Sequence, residues 1–199
     1  MNSLSAIHPQ VERRMLAAVR PAGTVPMACL PKLKGRLGAP LTDSSMNAGT
    51  HRTEFIIQRS FEGLDLKRLK TLLELGFGKR LVEGYFDHPV KEVVLESEYR
   101  AVAVIKKLFG LDYLDKLVVA PEAQGNGLAR DLWQYIQEES GYLIWRASPA
   151  NPANSWYQRN SDGTINTGKW FVYWYGMEPR LADCLVPIVA AVPETLIKH

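Results

Sequence analysis

Between Val118 and Trp133 the chain reads VVAPEAQGNGLARDLW. A β-rich run ends, two glycines follow one residue apart at Gly125 and Gly127, and a helical pattern starts without an acidic N-cap. The chemistry open to such a corner is anion binding. The first N–H groups of a helix have no intrahelical partner and carry partial positive charge. Glycines let the backbone approach an anion closely, and successive N–H groups can form a nest. The segment Gln124-Gly125-Asn126-Gly127-Leu128-Ala129 is not a P-loop, because no Lys-Ser/Thr follows the glycines, and it lacks the G-x-G-x-x-G spacing of a dinucleotide fingerprint. On these residues alone it reads either as a strand-to-helix turn or as a phosphate cradle. Metal chemistry is not expected: His8, His51, His88 and His199 have no ligand spacing. Cys29 and Cys184 are far apart and read as buried or idle thiols of a reducing compartment.

The elements that must position this corner follow from periodicity. TEFIIQRS, from Thr53, has the composition of a strand. LDLKRLKTLLELGFGKRLVEGYF sets Leu66, Leu69, Leu72 and Leu73 at helical spacing, so one or two helices follow. KEVVLESEY and RAVAVIKKL form an antiparallel pair that turns at Glu98-Tyr99-Arg100, and YLDKLVVA is a further strand. Gly127 to Ser140 is helical, with Leu128, Leu132, Trp133 and Ile136 on one face and Gly141 as its stop. YLIWRAS is a strand, NPANSWYQRN opens a helix with Asn151 as N-cap and Pro152 at N1, SDGT is a turn, and KWFVYWYG closes as a strand. Its aromatics, Trp170, Phe171, Tyr173, Trp174 and Tyr175, read as core or subunit interface. The order predicts an α/β (α+β) fold, a mixed, largely antiparallel sheet flanked by helices.

Composition narrows the function further. With 199 residues and 46% hydrophobic content the chain suits one domain with a core, and its longest apolar runs are strand-sized, so no membrane span is expected. Net charge is +3, unevenly placed. Residues 1–50 hold six Lys/Arg and two Asp/Glu, for +4, which leaves 18 basic and 19 acidic residues, for −1, in the remainder. The body is therefore no polybasic nucleic-acid binder, and a polyanion bound there must be held by local geometry. Residues 1–50 also carry five of the twelve prolines and one short helical pattern, PQVERRMLAAVR. They read as an irregular basic extension with a faint likeness to a transit peptide and without the hydrophobic region of a secretory signal. The domain is expected over residues 51–180 and a C-terminal tail over 181–199.

Gln124, Gly127 and Ala129, after a strand ending VVAPEA, match the Arg/Gln-x-x-Gly-x-Gly/Ala signature, and the chain here resembles the GCN5-related N-acetyltransferases. The resemblance implies that fold, with acetyl-CoA as co-substrate and no metal. Gln124, Gly125, Asn126, Gly127, Leu128 and Ala129 would wrap the pyrophosphate, and Leu117, Val118 and Val119 would offer backbone to the pantetheine arm. A narrower resemblance runs through FGKRL, YLDKLVV, QGNGLARDLW, WRASPANPANSWY, SDGTINTGKW and WYG. These blocks occur in the same order in the acetyltransferase domain of vertebrate-like N-acetylglutamate synthases and bacterial bifunctional synthase/kinases.

That resemblance implies transfer of acetyl to the α-amine of L-glutamate, in the arginine pathway, in a bacterial cytoplasm rather than a mitochondrial matrix. Alternatives left open are another small amine as acceptor, or a non-catalytic domain that binds acetyl-CoA or an amino acid and regulates a kinase. In the family the domain follows an amino-acid-kinase domain, for which about 50 residues leave no room, so the expected partner is a separate kinase or a second copy of the chain. A diacid needs at least two cations. Lys79, Lys116 and Arg146 align with substrate-binding positions, Arg146 as a bidentate carboxylate ligand and the lysines as point charges. Strand alternation sets Lys116 opposite Leu117 and Val119, and Arg146 with Ser148 opposite Trp145 and Ala147. The synthases commonly carry a second arginine two residues after the first; Ser148 stands there instead, which removes a cation worth ~1.5–3 kcal/mol as a charged hydrogen bond. Tyr157 is expected to donate a proton to the leaving thiolate, with Asn151 and Tyr113 holding the amine and a backbone N–H near Leu117 or Val118 facing the oxyanion. The residue types leave Asn151 equally good as a helix cap and Tyr157 as a core aromatic. Neither Cys lies in a matched block, so no covalent cysteine intermediate is expected.

Overall fold

Runs rich in Val, Ile, Leu and aromatic residues supply most of the main sheet. The structure, a computed structural model, describes residues 53–198; the basic extension expected over residues 1–50, with its short helical pattern, lies outside them. Strand β1 is Phe55–Gln58, β3 Glu92–Glu96, β4 Ala101–Leu108, β5 Leu111–Val119, β6 Leu143–Ala147, β7 Gly163–Asn166 and β8 Phe171–Tyr175. They form one sheet in the order β1-β3-β4-β5-β6-β8-β7, antiparallel at every step except β5 with β6. The mixed, largely antiparallel sheet read from the sequence is present. Strand β7, expected only as a turn, pairs with β8 at the sheet edge. Its residues Gly-Thr-Ile-Asn carry one apolar side chain, too few to signal a strand before its partner is known.

Helix α1, Leu66–Phe77, is set by local chemistry. The Asp65 carboxylate accepts from the Lys67 and Arg68 N–H groups at 3.1 and 3.0 Å, a cap that typically contributes ~1 kcal/mol. Leu69, Leu72 and Leu73 are buried, and Gly78 ends the helix in the left-handed region at φ 59°. The helix packs on β5 so closely that a Cβ at Gly76 would run into the Val118 side chain. Helix α2, Leu128–Glu139, buries Leu128, Leu132, Trp133 and Ile136 against β4 and β5. Helix α3, Asn154–Arg159, is short and begins after Asn151 rather than on it. The Asn151 carbonyl oxygen of the side chain accepts from the Ala153 N–H at 2.8 Å, so the Asn-Pro pair builds a turn before the helix and is not its N-cap.

The segment expected as a C-terminal tail carries regular structure through its described residues. Helix α4, Pro179–Ala191, buries Ala182, Leu185, Val186 and Val189 on β6 and β8. These positions follow the i, i+3, i+4, i+7 rule, but Pro187 inside the run disguises it as non-helical. Beyond it β9, Leu196–Ile197, pairs with β2, Arg80–Leu81, at the C-terminal side of α1. The aromatic run is core at Tyr173 and Trp174, 2% and 6% exposed, and Tyr173 stacks on Trp145 at 5.5 Å. Among the described residues no helix is long and apolar enough to cross a membrane, and no group of His, Cys, Asp and Glu could hold a metal ion.

Candidate functional site

The site lies where two parallel strands part. β5 and β6 pair only through Asp112, Tyr113 and Leu114, while β6 continues with β8 to Ala147 and β5 continues with β4 to Val119. Beyond Leu114 the edge of β5 that faced β6 has no strand partner among the described residues. Leu117, Val118 and Val119 line the opening, a cleft of about 680 Å³ also lined by Gln124, Ala129, Ala153, Trp156 and Tyr157. An unpaired strand edge can accept an extended chain bearing amides by adding to the ladder.

The glycine corner closes one end of this cleft. Gly125 and Gly127 hold φ 86° and 85°, a region that side chains disfavour. Gly127 is the N-cap residue of α2 and no side chain among the described residues caps the helix by a hydrogen bond, so its first N–H groups are available to an anion. The acidic residue of the first turn, Asp131, has both carboxylate oxygens engaged, one by the Thr53 hydroxyl at 2.8 Å and the other by Arg130 at 3.3 Å. Of the six corner residues only Gln124 and Ala129 line the cleft. Gly125 and Asn126 are exposed, and Leu128 buries its side chain in the core at 7% exposure, so Gly125 and Leu128 offer backbone alone.

A smaller pocket of about 100 Å³ adjoins the cleft, and Phe77, Lys79, Ser148 and Asn151 line both. Tyr113, Lys116 and Arg146 line the smaller pocket alone, and Tyr157 the cleft alone. Strict alternation along β5 would send Tyr113 and Lys116 to opposite faces. The register explains why both reach the pocket: Val104 pairs with Lys116 and Ile105 with Leu114, leaving Asp115 as an extra residue. This β-bulge re-aims the side chains after it.

Electrostatics within the pocket are largely internal. Lys116, 3% exposed, directs its ammonium to the Thr195 hydroxyl at 2.6 Å, the Asp115 carbonyl at 3.2 Å and the Asp115 carboxylate at 3.0 Å. Burial pushes the Lys116 pKa down, and Asp115 opposes it. Burial would raise the Asp115 carboxyl, but Lys116, Lys106 and the Tyr85 hydroxyl outweigh it and hold the group well below the usual carboxylate range. Lys106 approaches that carboxylate at 3.0 Å and Tyr85 at 2.7 Å. Lys79 makes no hydrogen bond or ion pair among the described residues, so all its donors are open.

Arg146 lines the pocket and is also engaged by the fold. Its guanidinium donates to the Val189 and Ala190 carbonyls at 3.0 and 2.7 Å and to the Pro193 carbonyl at 3.3 Å, and lies 4.2 Å over the Trp170 ring. Three of its five N–H donors thus close the C-terminal end of α4, which leaves at most two for a ligand. Both tyrosines are protonated hydroxyls at neutral pH: burial raises the Tyr157 pKa, with Tyr173 adding, and burial raises that of Tyr113, with Asp115 adding and Arg146 opposing. The Tyr157 hydroxyl makes no hydrogen bond among the described residues.

Sequence reasoning missed Asp115, Trp170, Glu194 and Thr195, all of which line the smaller pocket. Asp115 carried a signal, a charge within a strand beside Lys116. Glu194 and Thr195 carried none, since α4 alone brings them back from the far end of the chain.

Residues 56–188 match a protein family described as NAT, the N-acetyltransferase of N-acetylglutamate synthase. A protein named acetylglutamate kinase from Xanthomonas campestris is 40% identical over 69% of this chain and 34% of its own length. The mitochondrial N-acetylglutamate synthase of Mus musculus is 36% identical over 70% of this chain and 28% of its own. The chain thus spans about a third of the length of these curated relatives. Among solved structures, N-acetylglutamate synthase from Neisseria gonorrhoeae complexed with coenzyme A and N-acetyl-glutamate aligns with a TM-score of 0.48 at 13% identity, over 61% of this chain and 35% of that one.

Proposed function

The chain belongs to the N-acetyltransferase family of N-acetylglutamate synthase, and from that premise we propose that it transfers acetyl from acetyl-CoA to the α-amine of L-glutamate, giving N-acetylglutamate. The observation that carries this reading is the junction at Lys79, Ser148 and Asn151, where a cleft with a free strand edge and a helix N-terminus meets a pocket lined by three cations. A thioester donor bearing amides and a pyrophosphate fits the first; a small amino acid with two carboxylates fits the second.

Acetyl-CoA supplies the activated acyl group. The corner from Gln124 to Ala129 would hold its pyrophosphate, and Leu117, Val118 and Val119 would offer backbone to its arm and an N–H to the oxyanion. Asn151 would orient the amine from the junction, since its side-chain oxygen is held by the Ala153 N–H and its amide nitrogen is left to donate or bridge through water. Tyr113 would accept from the amine. Tyr157 would donate a hydrogen bond to the leaving sulfur; its raised pKa suits a donor and excludes it as a base at neutral pH. Lys79 would meet a carboxylate directly, and Lys116 would contribute charge from a fixed place. We take the acetyltransferase unit to run to the end of β9, since α4 holds Arg146 and Thr195 holds Lys116. A kinase unit as partner, fused or separate, and the bacterial cytoplasm as location, are supported by the bacterial relative of 40% identity that is named for the kinase.

An acceptor screen with purified protein, following free CoA, tests the reading. Glutamate is expected to give the highest kcat/KM. Turnover of another amine with none of glutamate would sink glutamate as acceptor and support the second reading, another small amine, which Ser148 and the engagement of Arg146 favour. CoA binding without turnover of any acceptor would support a regulatory domain instead.

A further inference from the structure

The acceptor pocket is lined by two carboxylates as well as its cations, and the two differ in how readily they move. Asp115 and Lys116 are 5% and 3% exposed, and removing that carboxylate from its partners would leave buried charges uncompensated. Glu194 is different. It meets the Lys169 ammonium at 2.6 Å with 41% and 70% of the two side chains exposed. An ion pair so exposed contributes little, and its members reorganise at small cost. The Lys169 hydrogen bond lowers the Glu194 pKa, burial opposes it, and the charges of Lys169, Arg146 and Lys79 add to the lowering. A side-chain carboxylate on a short strap between α4 and β9 thus rests among three cations, at a pocket where Ser148 supplies none. That carboxylate is chemically the same group as the distal carboxylate of L-glutamate.

We propose that Glu194 is a tethered competitor of the acceptor, holding the place of its distal carboxylate and yielding Lys169 to it on binding. Lys169 is then a specificity-determining cation in place of the arginine absent at Ser148. The inference rests on the reading of the pocket as a site for a dicarboxylic amino acid.

The test compares two variants that break the same ion pair. Glu194→Gln should lower the KM for L-glutamate about two- to fivefold, the range of an exposed ion pair, with the KM for acetyl-CoA unchanged. It should leave the use of L-glutamine, which lacks the distal charge, unaltered. Lys169→Ala should instead raise the KM for L-glutamate. An ion pair that merely held the strap would shift both variants in the same direction, and that result overturns the proposal. Calorimetric titration of L-glutamate into the CoA-bound protein supplies a readout independent of turnover. Tighter binding by Glu194→Gln than by the wild type is expected, and equal or weaker binding overturns the proposal. Tighter binding without turnover in either protein would sink the catalytic reading while leaving the competitor in place.

Discussion

At the scale of residues, the glycine corner and the buried lysine show two ways of holding charge. Gly127 supplies a left-handed N-cap at φ 85° with no side-chain cap hydrogen bond among the described residues. Gly127→Asp should therefore abolish CoA binding while leaving acceptor binding near its wild-type level, because a carboxylate would stand where the pyrophosphate is expected; retained CoA affinity in a titration would refute the cradle. Burial lowers the Lys116 pKa, and Asp115 beside it favours the charged form. Asp115→Asn leaves Lys106 and Lys116 in a buried site without their carboxylate, at a cost of ~3–5 kcal/mol. The folded-state pKa of Asp115 lies below its unfolded value, so its contribution is present at neutral pH and lost as pH falls below ~3.9, the unfolded value. Melting curves should show a large loss for Asp115→Asn at pH 7 that shrinks toward pH 3. A loss independent of pH would mean that packing, and not charge, sets the cost. The residue types at this site were legible in the sequence, with Lys79, Lys116, Arg146, Ser148, Asn151 and Tyr113 all brought to one pocket. Their partners were not, because a side chain's engagement depends on segments that only folding brings near.

At the scale of elements, Arg146 is the clearest case. Strand alternation marked it as a polar residue in β6, but the chain end that consumes its donors is 43 to 47 residues away. Arg146→Ala should thus reduce stability as well as acceptor affinity. Losing these carbonyl bonds and the stacking on Trp170 costs ~2 kcal/mol, a fall in melting temperature of roughly 4–8 °C. Arg146→Lys should recover little, since an ammonium cannot span three carbonyls. A variant with a raised glutamate KM and an unchanged melting temperature would show that the end of α4 does not depend on this contact. Helix α4 itself was hidden by Pro187, and β7 by its polar composition. The bulge at Asp115 was hidden for a more general reason: register belongs to a pair of strands, and neither strand states it alone.

At the scale of the whole molecule, one event organises the site. Parallel strands β5 and β6 pair for three residues and then part, and the space between them becomes both the cleft and the route from it to the cationic pocket. The succession of most strands along the chain and the largely antiparallel character of the sheet could be read from periodicity and turn residues, whereas the order of strands within the sheet could not. The parting could not, because it depends on β6 following β8 while β5 follows β4. On the proposed function, the two adjoining cavities would hold donor and acceptor together, with acetyl passing directly between them. Initial rates of N-acetylglutamate formation, with acetyl-CoA and L-glutamate varied together, test this most directly. Intersecting double-reciprocal lines are predicted, the pattern of a complex holding both substrates. Parallel lines, the pattern of an acetylated enzyme, or product formation that does not depend on L-glutamate, would contradict it.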